Sequence, residues 1–226
     1  ISTESPLAFC PTTAECLHLV ILPVPSVRVL DQIKSVWYEV KKPATVVLTF
    51  DRSGSMSGEK IGQAINGAIE FVEEMDRKDW IAWKPFSTDV DTGVQGLISD
   101  IGEELVTAIR SDAKADGETA LYDAIAHAYQ TLQKQRVRFG DTVRYGIVVL
   151  SDGKDTTSRI TLAELEEILT PREGDTAGIQ IHTIGVDANA DDQVLGKIAT
   201  ITNGRMWKVT DPSTIPAVAR RIHKYW

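Results

Sequence analysis

Residues 45–55, Thr-Val-Val-Leu-Thr-Phe-Asp-Arg-Ser-Gly-Ser, are the stretch from which the fold of this chain can be worked out. The first six residues are apolar or β-favouring, and together with Ala44 they predict a strand over residues 44–50. Asp51, Ser53 and Ser55 follow this strand directly. A strand that ends in a carboxylate and two hydroxyls presents hard oxygen donors at the edge of a sheet. Such donors suit a hard divalent cation such as Mg²⁺.

The overall composition is that of an ordinary globular protein. The chain has 226 residues, of which 42% are hydrophobic and 25% charged, which is enough for one large domain or for a domain with an appendage. The net charge of -8 and the pI of 5.1 argue against general binding of nucleic acid or of an anionic membrane. No apolar run approaches the roughly 18 residues that a membrane helix needs, so we expect no direct membrane insertion. The chain begins at Ile1 without a leader, so we expect a processed chain or an excised piece.

The two cysteines, Cys10 and Cys16, lie close together near the start of the chain. A small-loop disulfide in an exported protein and two reduced thiols are both consistent with this spacing. A zinc site would need two further ligands, and His18 is the only candidate nearby.

Residues 1–41 are predicted to form an N-terminal arm and helix that precede the main domain, residues 42–226. Ser26 has the character of a helix N-cap. Apolar residues then recur at helical spacing: Val27, Leu30, Ile33, Trp37 and Val40. This segment is too short to hold a core alone.

From residue 42 onward, strand and helix patterns alternate. We predict strands at 44–50, 80–86, 93–98, 144–150, 179–186 and 205–209, and helices near 60–75, 102–110, 120–135, 162–169, 193–199 and 215–223. Strands interleaved with helices indicate an α/β fold: a doubly wound, mostly parallel six-stranded sheet with helices on both faces.

Further oxygen donors occur at two other places where such a fold would bring them to the same edge. The carboxyl ends of parallel strands meet at one edge of the sheet, and ligands bind there where the strand order reverses. Thr119 precedes the helix near 120–135, and Asp152 follows the long apolar strand 144–150. We therefore predict that five residues converge on one metal site: Asp51, Ser53, Ser55, Thr119 and Asp152. For any single motif, a capped helix start or a loop aspartate is an adequate explanation, but all three occur in register.

These motifs resemble those of a von Willebrand factor type A domain with its metal-ion-dependent adhesion site. The resemblance rests on Asp-Arg-Ser-Gly-Ser (51–55), Gly-Glu-Thr-Ala-Leu-Tyr-Asp-Ala (117–124) and Ser-Asp-Gly (151–153), and extends over about residues 42–226. In that family pattern, Ser53, Ser55 and Thr119 are metal ligands, and Asp51 and Asp152 act directly or through water. Glu118 departs from the pattern, since a glycine is common there.

The resemblance implies a non-enzymatic protein-binding module that holds Mg²⁺, with Mn²⁺ or Ca²⁺ as alternatives. Hydroxyls supply much of the ligand set, so the ion stays under-neutralised and can accept an Asp or Glu carboxylate from a partner protein. We expect an extracellular or cell-envelope location and no nucleic-acid partner. The alternative is a metal-assisted hydrolase, for which Asp155 or Glu118 would be the candidate general base.

Residues 25–43 carry a second, shorter resemblance. They are similar to the junction in bacterial proteins that fuse an extracellular solute-binding-like domain to a C-terminal type A domain. This implies that residues 1–41 are the tail of an upstream domain, and it leaves open a third interpretation, a regulatory or assembly part of a solute-binding protein.

Two other motifs are explained by ordinary local structure. Ser57-Gly58-Glu59-Lys60 fits the start of a β-lactamase-like motif whose companions are absent, so we interpret it as a capped helix start. Asp187 opens a calcium-like loop that lacks the glycine and glutamate of an EF-hand, so residues 187–191 are interpreted as a strand-to-helix loop with an aspartate cap.

Overall fold

A computed structural model describes residues 25–112, 114–152, 154–171, 178–187 and 190–223. It divides the chain into two compact units, residues 1–41 and 42–226. In the first unit, helix α1 spans Val27–Val40, and the Ser26 hydroxyl accepts a hydrogen bond from Val29 N at 3.4 Å, as expected of an N-cap. Cys10 and Cys16 lie outside the described residues, so the disulfide and the two reduced thiols both stay open.

The second unit is built on a six-stranded sheet in the order β3-β2-β1-β4-β5-β6. Among the strands of the described residues, β1, β2, β4, β5 and β6 are parallel and β3 runs antiparallel to its neighbour β2. This confirms the predicted α/β fold. The strands are β1 Ala44–Asp51, β2 Trp80–Phe86, β3 Gln95–Leu97, β4 Arg144–Ser151, β5 Gln180–Val186 and β6 Met206–Val209.

The central strands are buried on both faces because helices cover the sheet on both sides. Every residue of β1 is buried, as is every residue of β4 after Arg144. Their continuous apolar sequences are typical of parallel strands between two helical layers. One layer consists of α2 Glu59–Glu73, α3 Ile98–Ser111 and α7 Ile215–His223. The other consists of α4 Leu121–Phe139, α5 Leu162–Leu169 and α6 Asp192–Ile201.

Two predicted helix starts are confirmed by their caps. Thr161 and Glu164 form a reciprocal capping box at the start of α5. The Asp191 carboxylate accepts from Val194 N at 3.1 Å and caps α6, as expected for the loop after β5. Among the described residues, no helix is long and apolar enough to cross a bilayer.

Two details differ from the sequence prediction. The strand predicted over 93–98 is reduced to Gln95–Leu97, since Ile98 already begins α3. It is antiparallel because only eight residues separate Phe86 from Gln95, too few for the crossover that a parallel strand requires. The helix start predicted at Ser57 has no side-chain cap, and the N-cap is Gly58 with a φ of 80°, a backbone conformation that glycine adopts without steric cost.

The strand order reverses between β1 and β4. The chain passes from β1 to β2 and β3 on one side and then returns to add β4, β5 and β6 on the other. The carboxyl ends of β1 and β4 therefore flank the crevice where doubly wound folds bind ligands. Asp51 ends β1, and Ser151 ends β4 directly before Asp152.

Candidate metal centre

The predicted metal ligands lie on three loops at the carboxyl edge of the sheet. Four of the five side chains belong to buried residues: Asp51 is 0% exposed, Ser53 1%, Thr119 4% and Asp152 8%. Ser55 is exposed at the rim. Buried polar residues are rare unless they are paired or functional, so this concentration distinguishes the edge from the apolar interior beneath it.

The Asp51 carboxylate lies at the bottom of this site. Its Oδ1 accepts a hydrogen bond from Ser53 N at 2.8 Å, and its Oδ2 accepts one from the Ser151 hydroxyl. Burial raises the pKa of Asp51 from 3.8 to about 6, although both hydrogen bonds oppose this change, and the charge of Asp152 adds a smaller upward contribution. Without a cation, the fold therefore disfavours the charged form of Asp51.

The second carboxylate and the hydroxyls supply further donors. Asp152 Oδ1 is fully buried and has no hydrogen-bond partner among the described residues. Leaving a buried carboxylate oxygen without a partner is costly, and a bound cation or water would satisfy it. The hydroxyl oxygens of Ser53 and Ser55 lie 3.0 Å apart. This set of hard oxygens fits a cation such as Mg²⁺, whereas the described residues contain no cluster of three His, Cys, Asp or Glu that could hold a metal by charged ligands alone.

Backbone hydrogen bonds hold the first two loops together. Gly54 N donates to Gly117 O at 3.0 Å, and Asp116 N donates to Arg52 O at 2.8 Å. Gly117 has a φ of 86°, and a Cβ there would lie 2.7 Å from the Thr88 hydroxyl. Only glycine allows the second loop to approach in this conformation.

The loop that follows β4 is tied to Thr119. Thr119 N donates to the Thr156 hydroxyl at 2.9 Å, and Thr156 N donates back to Thr119 O at 2.9 Å. Asp191 N donates to Asp152 O at 3.2 Å and adds the loop before α6 to the same network. The second and third motifs are therefore held in fixed positions relative to each other.

Arg52 stands inside the first motif but directs its charge away from the carboxylates there. Its guanidinium pairs with Asp91 and with Asp112, the latter at 3.3 Å. Trp83 Nε1 also donates to Asp112 at 2.6 Å. The only cation within residues 51–55 is thus neutralised by carboxylates from the loop before β3 and from the end of α3.

The two residues considered as general bases are already used as hydrogen-bond acceptors. Asp155 Oδ1 accepts from Tyr122 N at 3.2 Å and from the Ser158 hydroxyl at 2.5 Å, and its Oδ2 accepts from Ser158 N at 3.4 Å. Glu118 accepts from the Thr156 hydroxyl at 2.8 Å. Both side chains therefore hold the loops together, and this geometry gives the hydrolase alternative no support.

A family comparison identifies the fold. Residues 45–221 match the family model described as the von Willebrand factor type A domain. The chain belongs to the von Willebrand factor type A family. This confirms the family resemblance that the three motifs indicated.

Relatives with similar sequences are large proteins of which this chain corresponds to one part. It is 28% identical over 189 residues to inter-alpha-trypsin inhibitor heavy chain H4 of Homo sapiens, which covers 80% of this chain and 18% of the relative. It is 24% identical over 175 residues to heavy chain H3 of Bos taurus, covering 76% and 19%. The chain therefore spans about a fifth of the length of these relatives.

Solved structures support the same fold at lower sequence identity. A von Willebrand factor type A protein from Catenulispora acidiphila superposes with a TM-score of 0.64 at 17% identity, over 81% of this chain and 42% of the other. The pilus adhesin SpaC from Lactobacillus rhamnosus GG, in an open conformation, gives 0.63 at 14% identity, over 81% and 30%. At these identities the likeness shows the fold alone.

Three supporting residues were not among the predicted site residues. Ser151 anchors Asp51, and Thr156 anchors Thr119. Lys60 lies 3.2 Å from Ser55 O and pairs with Asp187 at 2.6 Å, so it links the first loop to the end of β5. Only Ser151 had a sequence signal, its place in the third motif. The contacts of Thr156 and Lys60 join distant segments and depend on the folded loops.

Proposed function

We propose that this type A domain is a non-enzymatic protein-binding module that holds a divalent cation, Mg²⁺ in the first instance, at the carboxyl edge of its sheet. Asp51, Ser53, Ser55, Thr119 and Asp152 would hold the ion. The observation that carries the proposal is the unpartnered, buried Oδ1 of Asp152 beside the buried Asp51. Two buried carboxylates without a cation are costly, and a divalent ion would offset that cost.

The ligand set also supports a role in docking. Both oxygens of Asp51 already accept hydrogen bonds from Ser53 and Ser151, so part of its charge is shared with those donors. Hydroxyls are weak, neutral ligands by comparison. When bound, the cation would supply a Lewis-acidic centre that attracts a carboxylate, and the chain's own residues would orient it. We therefore infer that the partner presents an Asp or Glu side chain.

The cellular location of the module and its neighbouring domain are part of the same proposal. An extracellular or cell-envelope location fits a domain whose fold neighbours include a pilus adhesin. That residues 1–41 form the tail of an upstream solute-binding-like domain is a proposal of the same kind.

Calorimetric titration with Mg²⁺ tests the site. We expect one binding event per chain for the unaltered protein, and no measurable binding for Thr119→Ala. Thr200→Ala is the matched control, because this exposed threonine on α6 donates only to Gly196 O within its own helix. Equal Mg²⁺ binding by Thr119→Ala and the control would contradict the assignment.

A second experiment tests the partner chemistry. Displayed peptides that carry one central Asp, Glu, Asn or Gln are selected on the domain in Mg²⁺ and in EDTA. We expect Asp or Glu peptides to be enriched in Mg²⁺ alone. Enrichment of the amides, or enrichment that is the same in EDTA, would rule out carboxylate capture while leaving the metal site standing.

A further inference from the structure

A second surface lies at the opposite edge of the sheet from the metal centre. The end of α2, the turn before β2 and the start of α3 enclose a groove of about 710 Å³. Its volume is within the range of ordinary ligand sites. Nothing in the metal-binding proposal uses this groove.

The floor of the groove is apolar. Val72 at the end of α2 and Met75 just after the helix belong to the core, with 4% and 7% of their surfaces exposed. Ile98 and Val106 on α3 line the other wall and are half-buried. Leu97, directly before this wall, is 39% exposed. The groove therefore offers apolar surface that an incoming side chain could remove from water.

The rim of the groove is acidic. Of the described residues that line it, Glu73, Asp100, Glu103 and Glu104 are acidic, and Arg77 is the one cation. Asp100 accepts a hydrogen bond from the Ser99 hydroxyl at 2.7 Å. The three glutamates form no ion pair with any residue of the described ranges. The groove thus has an excess of negative charge around an apolar floor.

Backbone hydrogen bonds fix the walls of the groove where α3 begins. Ile98 N donates to Asp79 O at 2.9 Å, and Ser99 N donates to Arg77 O at 3.0 Å. Asp79 is itself buried, and its carboxylate accepts from Ala44 N at 2.8 Å and from Asp76 N at 3.0 Å. These contacts fix the start of α3 against the turn before β2, so a ligand would not have to open the site.

Gly102 gives the groove part of its depth. It lies inside α3, where glycine is a poor helix former, and it lines the groove. A Cβ at this position would meet only Ile98 Cγ2, at 4.0 Å. Packing within the domain therefore does not require a glycine here. What the missing side chain provides is open space in the groove.

We propose that the groove binds an amphipathic helix of a partner protein, with apolar side chains on the floor and Lys or Arg facing the glutamates. Charge complementarity selects this occupant, because nucleic acid and anionic lipid would be repelled. A metal ion is disfavoured, since the described residues hold no cluster of three carboxylate, imidazole or thiolate groups at metal distance. Laying an amphipathic helix into an apolar groove is a common mode of peptide recognition.

Two synthetic helical peptides with the same leucine stripe provide the probe, one with Lys and one with Glu on its polar positions. Fluorescence anisotropy is measured on the whole chain with each peptide. We expect the Lys peptide to bind at least about 10-fold more tightly than the Glu peptide, with affinity that falls as salt is raised. Binding should be unchanged by EDTA, which separates this site from the metal centre.

Paired variants locate the binding. Glu103→Lys should weaken the Lys peptide at least about 10-fold by removing an attraction and adding a repulsion. Glu167→Lys makes the same charge change on the exposed surface of α5, away from the groove, and should weaken it far less. Gly102→Leu should fill the groove and abolish binding, while circular dichroism shows the helical content of the unaltered protein.

Three results would overturn the proposal. Equal losses in Glu103→Lys and Glu167→Lys would show that the peptide responds only to net charge. Full binding by Gly102→Leu would show that the groove is not the site. Peptide-free dimers in sedimentation, dissociated by Glu103→Lys but not by Glu167→Lys, would make a second copy of the chain the occupant instead.

Discussion

The two edges of the sheet both carry carboxylates, but in opposite settings. At the carboxyl edge, Asp51 and Asp152 are 0% and 8% exposed and are enclosed by hydroxyls and backbone hydrogen bonds. At the other edge, Glu73, Glu103 and Glu104 are exposed around an apolar groove. The same functional group is therefore buried at one end of the domain and solvated at the other.

Burial determines what each edge can bind. A buried carboxylate is costly when charged, so it gains most from a compact cation that reaches it directly. A solvated carboxylate has little to gain from such an ion but still attracts Lys or Arg side chains whose apolar neighbours occupy the groove. We therefore expect variants at the carboxyl edge to change metal binding and variants at the groove to change peptide binding.

Mg²⁺ affinity should fall on substitution at the carboxyl edge but not on substitution at the groove. Asp152→Asn removes a buried charge and should lower Mg²⁺ affinity by roughly 100-fold or more, which corresponds to about 3 kcal/mol. Glu103→Gln removes a charge from the groove rim and should leave Mg²⁺ affinity within about 2-fold. Calorimetry on both variants measures this, and a comparable loss in both would mean that the two edges do not differ in this way.

The stability of the metal-free protein should depend on the ionisation of Asp51. Its folded pKa of about 6 exceeds the ordinary 3.8, so folding favours the protonated form. The sign follows from linkage: stability is highest below about pH 4 for this group and is lost as pH rises toward 6. Thermal or urea unfolding in EDTA should show this loss, and Mg²⁺ should reduce it.

Asp51→Asn isolates that effect. The amide oxygen can still accept from Ser53 N, and the amide N–H₂ can donate to the Ser151 hydroxyl, while the buried charge is removed. We expect this variant in EDTA at pH 7.5 to gain about 2 kcal/mol of unfolding free energy and to lose Mg²⁺ binding. Asp91→Asn on the partly exposed loop before β3 is the comparison, and a gain as large there would refute the explanation by burial.

Replacing a glycine by alanine should destabilise the domain in the loop around Gly117, but not inside an ordinary helix. Gly117→Ala places a side chain at a φ of 86° and against Thr88, and should cost about 1–2 kcal/mol and weaken Mg²⁺ binding. Gly62→Ala in α2 meets nothing within 4 Å and should stabilise by up to about 1 kcal/mol. Urea unfolding of both variants gives the two signs, and a stabilising Gly117→Ala would contradict the described loop geometry.

The smallest change in the free energy of unfolding is expected for a substitution in the groove. Gly102→Ala should stabilise the domain by about 0.5–1 kcal/mol through helix propensity alone, with Mg²⁺ affinity unchanged. Thermal unfolding measures the gain. A destabilised variant would show that Gly102 is required for packing and not for open space in the groove.

Much of the fold could be predicted because local patterns and tertiary burial agree. Continuous apolar runs such as Val46–Leu48 and Ile147–Leu150 are also the buried central strands, and the three oxygen-bearing motifs follow strands or precede a helix. The direction of β3 was not predicted, since it depends on the length of a connection. The short interval between Phe86 and β3 nevertheless indicates an antiparallel strand, since a parallel one needs a longer connection.

The contacts at the two edges could not be predicted from sequence patterns, because they join segments that are far apart in the chain. Thr156 contacts Thr119 across 37 residues of chain, and Gly102 and Met75 line the same groove only once α3 has packed beside the end of α2. Neither relation follows from periodicity or spacing. The identities of the five predicted metal residues could be read from motifs, whereas Asp51 burial and the unpartnered Asp152 oxygen required the folded structure.

Diffraction from crystals soaked in Mn²⁺ shows whether the carboxyl edge of the sheet is the metal site, because the anomalous signal locates the ion. We expect one strong peak at the carboxyl edge, about 2 Å from the hydroxyl oxygens of Ser53 and Ser55, and no peak in crystals of Thr119→Ala. An empty carboxyl edge at saturating Mn²⁺, or a peak confined to the acidic groove, would contradict the assignment of the metal site.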